Sequence, residues 1–148
     1  MEQVLVLIKP EGMQKGIVGD VLNQFINSEL MLVGLKLSKP SVQLAKKHYG
    51  LLKDKFFYAQ IVEFLTGKFN AGHPVVAMVF QGKGAIKKCR QIAGATNPEE
   101  AHPQSVRGKY GRITTKGLFE NIVHVSSSST EARREIALWF KKSELLTS

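Results

Sequence analysis

Cysteine is nearly absent from this sequence of 148 residues, since Cys89 is the only one. A single thiol forms neither an internal disulfide nor a cysteine-based metal site, and such a chain suits the reducing cytosol. Long apolar runs are also missing, so no membrane-spanning helix is predicted, and the N-terminus does not resemble a signal peptide. We therefore expect a cytoplasmic protein with one domain over residues 1–148, because a 43% hydrophobic composition supports a single core.

Acidic residues are scarce as well. The chain has 12 Asp and Glu against 21 Lys and Arg, which gives a formal net charge of +9. This excess predicts affinity for polyanions, which could be nucleotide phosphates, nucleic acid or an anionic surface. The common glycine-rich nucleotide motifs are absent, because Gly16 and Gly19 follow Pro10-Glu11-Gly12 without the spacing of a Walker or a dinucleotide-binding loop.

The apolar periodicity predicts the order strand, helix, strand, helical pair, strand, helix, long loop, strand, helix. The predicted strands cover approximately residues 4–8, 31–37, 75–80 and 119–125. Two strand-helix-strand halves favour an α+β sandwich of the ferredoxin-like kind. We expect a four-stranded antiparallel sheet with helices packed on it, an inserted helical pair and a long loop.

Two segments carry turn or loop signals. Pro10-Glu11-Gly12 is predicted to turn the chain after the first strand. Residues 94–117 show no sustained periodicity, and loops of this length in compact domains are usually functional or disordered. The second half of this loop is basic, with Arg107 among its cations, so it could bind phosphate or could simply be a solvated basic loop.

His124 lies near the end of the last predicted strand, just before a run of serines. A neutral imidazole has one nitrogen with a free lone pair, which can attack phosphorus without first losing a proton. A single histidine in a strand is more often structural, so this stretch alone does not establish a nucleophile.

The residues after His124 predict a helix. Ser128 followed by Glu131 is a capping-box pattern that starts a helix just past the strand. Glu135 borders the apolar stripe of that helix and could accept a proton from one nitrogen of His124, which would leave the other nitrogen free. The alternative is that Glu135 pairs with one of the two arginines that precede it.

Three adjacent aromatic residues, Phe56, Phe57 and Tyr58, begin a predicted helix. They cannot all point inward, so at least one could be exposed enough to stack on a base.

Six short motifs occur in order along the chain: Ile8-Lys9-Pro10-Glu11-Gly12, His48-Tyr49 with Lys53-Asp54 and Phe57, Pro74-Val75-Val76-Ala77-Met78-Val79, Gly94-Ala95-Thr96-Asn97-Pro98, Val106-Arg107-Gly108 and Asn121-Ile122-Val123-His124. Together they closely resemble the nucleoside diphosphate kinase family over nearly the whole chain. The joint pattern is highly specific, although each motif alone is weak.

The resemblance implies reversible ping-pong transfer of the terminal phosphate of a nucleoside triphosphate, such as ATP, to a nucleoside diphosphate. The intermediate would be a phosphohistidine on His124. Mg²⁺ would be carried by the nucleotide phosphates, with no metal ligand from the protein. The family also implies a homo-oligomer, either a hexamer or a tetramer built on a dimer.

The same match implies a role for nine further side chains. The nucleotide would be held by Lys9 and Asn121 on its sugar side, by Arg90, Thr96 and Arg107 at phosphate oxygens, and by Phe57 at one face of the base. Tyr49, Ser126 and Glu135 would support His124.

The chain departs from the family pattern at Val125, Ser127 and Gln104. One alternative is therefore a catalytically weakened member that acts as an interaction or nucleic-acid-binding protein. Residues 107–111 superficially resemble an RNA-recognition segment, but they lie in a predicted loop. Weak, salt-dependent binding of nucleic acid could still accompany the kinase activity.

Overall fold

The computed structural model describes residues 1–146 of the chain. Within them lie six strands: β1 (Glu2–Ile8), β2 (Met31–Ser38), β3 (Val75–Gly82), β4 (Arg112–Ile113), β5 (Phe119–Glu120) and β6 (Val123–Val125). The same residues form seven α-helices: α1 (Pro10–Gln14), α2 (Val18–Ile26), α3 (Val42–His48), α4 (Tyr58–Leu65), α5 (Ala85–Ala93), α6 (Val106–Tyr110) and α7 (Ser129–Trp139).

The main sheet has the order β2-β3-β1-β6, with antiparallel neighbours throughout. Strand β1 is central, and its five residues from Val4 to Ile8 are fully buried. Helices α5 and α7 pack against it. This is the ferredoxin-like α+β architecture expected from the sequence, with α3 and α4 as the inserted helical pair, and the fold prediction is confirmed.

The prediction of a simple turn at Pro10-Glu11-Gly12 is wrong, because these residues begin α1. Proline suits the first position of a helix, where its missing N–H would have had no intrahelical partner. The helix has only five residues, which is too short to show a helical period.

The loop predicted over residues 94–117 also contains regular structure. It has a 3₁₀ turn at Pro98–Glu100, helix α6 and strand β4, which pairs with β5. The Ser105 hydroxyl caps α6 by accepting from the Gly108 N–H at 3.1 Å. A five-residue helix and a two-residue strand leave no periodicity to detect.

The strand predicted over residues 119–125 is divided in two. Strand β5 pairs with β4 in a separate two-stranded sheet, whereas β6 pairs with β1. Between them Ile122 has a φ of +69°, which is outside the strand region. The β-branched apolar residues of this stretch predict a continuous strand and do not reveal the break.

Strand β2 lies at one edge of the main sheet, and its apolar residues do not all face the core. Met31, Leu35 and Leu37 are exposed, whereas Val33 and Gly34 are buried. The pairing with β3 shifts between Leu32 and Gly34, so the alternation of faces changes along the strand.

No helix within residues 1–146 is long and apolar enough to cross a membrane.

Gly94 follows the last residue of α5 and lies close to Ser105, the residue that caps α6. We therefore predict that Gly94→Ala destabilises the protein. Gly94 has a φ of +88°, and an added Cβ would collide with the Ser105 side chain. We expect the free energy of unfolding in urea to fall by about 2 kcal/mol or more, from backbone strain plus the collision.

Gly117→Ala is the matched control. Gly117 has a φ of +75° but no atom within 4 Å of the added Cβ, so it reports strain without a collision. Equal losses in the two variants would contradict the packing argument.

Candidate active site

His124 lies on β6, and its side chain is 20% exposed. Its Nε2 atom is 3.0 Å from Oε1 of Glu135, which extends from the middle of α7. The expected partnership of the two residues is therefore present. The alternative pairing of Glu135 with a neighbouring arginine does not occur, because Arg134 donates to Glu131 instead.

Both oxygens of the buried Glu135 carboxylate accept hydrogen bonds. The second oxygen, Oε2, accepts from the Ser126 hydroxyl at 2.6 Å. Burial raises the pKa of Glu135, but the hydrogen bonds from His124 and Ser126 and the charge of Arg134 together hold it below the ordinary value. Glu135 is therefore ionised near neutral pH.

This carboxylate fixes the tautomer of His124. An ionised carboxylate only accepts, so the His124 nitrogen that faces Glu135 must carry the proton. In the neutral ring Nδ1 then has the free lone pair. The geometry prepares Nδ1 as a nucleophile without any deprotonation step.

Ser126 links this group to the central strand. Its hydroxyl accepts from the Leu5 N–H at 3.1 Å while it donates to Glu135. Ser126 and Glu135 thus have fixed positions relative to β1. The helix cap predicted at Ser128 is also present, with the Ser128 hydroxyl accepting from the Glu131 N–H at 3.2 Å.

A turn that brings two stretches of backbone together precedes His124. The Val123 N–H donates to the Asn121 carbonyl at 2.7 Å across the positive-φ residue Ile122, which is a γ-turn of the rare, strained kind. The Ile122 carbonyl accepts from the Lys9 N–H at 2.8 Å. The end of β1 therefore holds the turn that sets the direction of β6.

Arg107 is a buried cation on α6. Its guanidinium donates to the carbonyls of Gly94, at 2.8 Å, and Val123, at 2.9 Å, while Nε has no partner among the described residues. Burial first, and then the charge of Arg90, lower the pKa of Arg107 to about 10, against a smaller opposite effect of Tyr49. It remains charged at neutral pH, so the alternative of a solvated basic loop does not apply to this residue.

Lys9 is also mostly buried, and its Nζ lies 3.0 Å from Oε1 of Glu11. Glu11 was not predicted to lie in the site, because it belongs to the first turn of α1, where only a turn of the chain was predicted. Tyr49 follows α3, and its ring centroid is 6.4 Å from that of His124. Burial raises the pKa of Tyr49, and the charges of Glu11 and Glu135 raise it further, so its hydroxyl stays protonated.

Asn121 is buried, and its amide donates to the carbonyl of Thr96 at 3.2 Å. Its Oδ1 atom has no hydrogen-bond partner within residues 1–146. The contact joins the segment after α5 to the segment before β6. The Thr96 side chain itself is exposed.

The remaining predicted residues lie at the periphery. Arg90 is exposed in the last turn of α5. Phe57 precedes α4, is half-buried and packs edge-on against Phe56 at 5.3 Å between ring centroids. Phe56 is 96% exposed, so the expectation of an exposed aromatic residue here is confirmed.

The departures from the family pattern leave the centre of the site intact. Ser127 is exposed and lies outside the hydrogen bonds that join His124, Glu135 and Ser126. Val125 is buried on β6 opposite Val6. Gln104 is exposed before α6, and its N–H donates to Nδ1 of His102 at 3.1 Å.

Comparison with known proteins identifies relatives of the whole chain. The family model described as nucleoside diphosphate kinase matches residues 2–145. A nucleoside diphosphate kinase from a Picosynechococcus species is 46% identical over 145 residues, which are 98% of this chain and 91% of that protein.

Solved structures of the same family resemble the fold. A halophilic nucleoside diphosphate kinase from Halobacterium salinarum, in complex with CDP, is 36% identical with a TM-score of 0.88, and the match covers 99% of this chain and 92% of that one. The nucleoside-diphosphate kinase from Borrelia burgdorferi, described as a transition state mimic with bound vanadate and ADP, is 30% identical. Its TM-score is 0.89, and the match covers 99% of this chain and 91% of that chain.

The two hydrogen bonds of the Ser126 hydroxyl predict that Ser126→Ala destabilises the protein. The variant leaves the Leu5 N–H buried without its acceptor and removes a donor from Glu135. We expect the free energy of unfolding to fall by roughly 1–3 kcal/mol. Ser127→Ala, at the exposed neighbour, should change it by less than about 0.5 kcal/mol. Similar values for both variants would show that the Ser126 hydrogen bonds contribute little.

Proposed function

Since the chain belongs to the nucleoside diphosphate kinase family, we propose that its His124 carries the terminal phosphoryl group between a nucleoside triphosphate and a nucleoside diphosphate. The enzyme is a phosphotransferase with a diphosphate acceptor. The observation that supports His124 most directly is its 3.0 Å contact with the buried, ionised Glu135, because this contact directs the free lone pair to Nδ1.

In the first half-reaction Nδ1 of His124 attacks the terminal phosphorus. A nitrogen-phosphorus bond forms as the bond to the bridging oxygen breaks, and the nucleoside diphosphate leaves with that electron pair. The proton on Nε2 stays where it is. The ring gains positive charge, which the Glu135 carboxylate compensates through its hydrogen bond to Nε2.

The second half-reaction is the reverse with a different diphosphate. One binding site serves both nucleotides, because the histidine holds the phosphoryl group between the two events. Stacking of the base on Phe57, with few contacts to its edges, would admit several nucleosides. In this proposal Lys9 and Asn121 contact the sugar side, and Tyr49 lies beside the nucleophile.

Positive charge around the phosphates supplies most of the catalysis. Transfer of a phosphoryl group demands cations at its equatorial oxygens and an in-line donor and acceptor. Arg107 can contribute because its two carbonyl partners occupy only some of its five N–H donors, and its buried Nε–H has no partner in the described part of the chain. Arg90 and Thr96 complete the phosphate side from the last turn of α5 and the segment after it.

Mg²⁺ is proposed to enter with the nucleotide. Mg²⁺ prefers oxygen ligands. Of the two buried carboxylates of the site, Glu135 accepts hydrogen bonds at both oxygens, and the charge of Glu11 is balanced by the ion pair with Lys9. When bound, the ion neutralises phosphate charge and orients the phosphate chain. The residues present therefore fit a cation that is carried by the phosphates.

A homo-oligomer, either a hexamer or a tetramer built on a dimer, is part of the proposal. The exposed apolar residues Met31, Leu35 and Leu37 lie on the edge strand β2. An exposed apolar edge strand is a ready surface for pairing with another chain.

A cytoplasmic location accords with the free, buried thiol of Cys89. Binding of nucleic acid is proposed only as a weak, strongly salt-dependent effect of the +9 charge.

The direct test is to mix the purified protein with Mg²⁺ and γ-labelled ATP and then to isolate the protein. We expect it to carry an acid-labile, alkali-stable phosphate that added GDP removes. His124→Ala should carry none, whereas His102→Ala, which changes an exposed histidine, should be labelled like the unaltered protein. A folded protein that binds nucleotide but takes up no label would favour the catalytically weakened, interaction-protein alternative.

Arg107→Ala should lower kcat/KM by about 10² to 10³, because a well-placed donor to the transition state is worth roughly 3 to 4 kcal/mol. Lys109→Ala is the matched control, since Lys109 is an exposed cation on the same helix. Steady-state kinetics with ATP and a second diphosphate measure both. Equal losses would mean that the general positive field, and not the position of Arg107, assists the reaction.

A further inference from the structure

His48 lies against the nucleophile but has no assigned role. It is the last residue of α3, and its side chain is almost fully buried. Its ring centroid is 4.3 Å from that of His124, and the two planes meet at 78°. Such an edge-to-face contact with a buried ring restricts the rotation of both rings.

Trp139 determines how His48 carries its proton. The indole N–H of Trp139, at the end of α7, donates to Nδ1 of His48 at 3.1 Å. An indole nitrogen only donates, so Nδ1 of His48 must supply a lone pair. Burial first, and then the charges of His124, Arg134 and Lys9, lower the pKa of His48 well below its ordinary value. The ring is therefore neutral and has its hydrogen on Nε2.

This tautomer excludes two other roles. Nδ1 is occupied by the indole hydrogen and Nε2 is protonated, so His48 has no free lone pair with which to act as a base. The ligand atoms of His48, His124 and Glu135 lie within 4.8 Å of one another, as in a metal site. A cation there would have to displace the Trp139 hydrogen bond or the Nε2 proton, and the arrangement opposes it.

We propose that His48 is a positioning residue for the phosphoryl transfer, locked by the Trp139 N–H in its uncharged Nε2–H form so that its ring holds the plane of His124. The inference rests on the proposed role of His124. A neutral neighbour matters because the His124 ring gains positive charge when it is phosphorylated, and a second cation beside it would oppose that step. A fixed ring plane matters because Nδ1 must stay in line with the phosphorus and the leaving oxygen.

Helix α7 supplies the hydrogen-bond partners of both imidazole rings. Glu135 and Trp139 are one turn apart on α7, and they contact His124 and His48 respectively. Arg134 on α7 also donates to the carbonyl of His48 at 3.0 Å, which fixes the end of α3. A single rigid helix thus orients both imidazole rings.

The first measurement is ¹⁵N NMR of the unaltered protein with labelled histidine, which distinguishes a bare ring nitrogen from a protonated one. We expect His48 to show a bare Nδ1 and a protonated Nε2 at neutral pH. A His48 that is charged, or that has its hydrogen on Nδ1, overturns the proposal. This result does not depend on whether His124 is phosphorylated, so it is separate from the test of the kinase activity.

The second measurement is the single-turnover rate of His124 phosphorylation by ATP, together with the Kd for ADP. Trp139→Phe keeps a buried aromatic ring but removes the donor, so we expect a mixture of His48 tautomers and a rate lower by about tenfold, with the Kd unchanged. His48→Gln, which has no ring to lie against His124, should lose at least as much. Phe140→Leu, at a buried neighbour of Trp139, is the control for a general loss of packing.

A Trp139→Phe protein with mixed His48 tautomers and an unchanged phosphorylation rate would show that the Trp139 hydrogen bond does not assist the reaction. A His48→Gln protein with the unaltered rate would do the same. Equal losses of rate in Phe140→Leu and Trp139→Phe would assign the effect to packing alone, which also overturns the proposal.

Discussion

The position of β1 at the centre of the main sheet is the constraint on which the site depends. Its residues are buried on both faces and pair on both edges, so this strand cannot shift without loss of the core. Its main chain then reaches the site at two points. The Leu5 N–H donates to the Ser126 hydroxyl, and the Lys9 N–H donates to the Ile122 carbonyl. These two bonds flank His124 in the sequence, one on each side, so His124 is anchored to the buried central strand.

The second constraint is electrostatic. Buried charges are tolerated only when they are paired or richly hydrogen-bonded. Glu135 satisfies this requirement with two donors, and Lys9 and Glu11 satisfy it with each other. Arg107 differs, since within residues 1–146 it has two carbonyl partners, a buried Nε–H with none and no carboxylate. Its charge is left without a counter-ion, which is the state expected of a group that awaits an anionic ligand.

The fold was predictable from the sequence, and His124 could be proposed as the nucleophile, because both rest on patterns that persist over many residues. Strands β1 and β3 are continuous apolar runs, helices α5 and α7 have clear apolar periods, and the motif around His124 is distinctive. The break at Ile122 was not predictable in this way. A γ-turn has one central residue, and the carbonyl of that residue accepts a hydrogen bond from Lys9, more than a hundred positions away in the chain. Helix α6 was missed for a related reason, since five residues cannot display a period.

The partners of the site residues were predictable only where sequence spacing brings them together. Glu135 lies eleven residues after His124, across one helix cap, and that proximity made its role foreseeable. His48 and Trp139 are separated by 91 positions, and neither local pattern indicates the other. A histidine at the end of α3 and a tryptophan in an apolar stripe each look like ordinary core residues. Only the packing of α3 against α7 converts them into a pair that fixes a tautomer.

The substitutions around His124 can be understood in the same terms. What the nucleophile requires is a proton held on Nε2, a ring plane that does not rotate and a carboxylate that stays ionised. Glu135, Ser126 and β1 supply the first and the last of these, and the hydrogen bonds that join them do not involve the side chain of Ser127. Because Ser127 is exposed, water can solvate its side chain. The geometry proposed for the transfer therefore does not depend on the side chain of Ser127. The chain can differ from the family at this position while the arrangement around His124 is preserved.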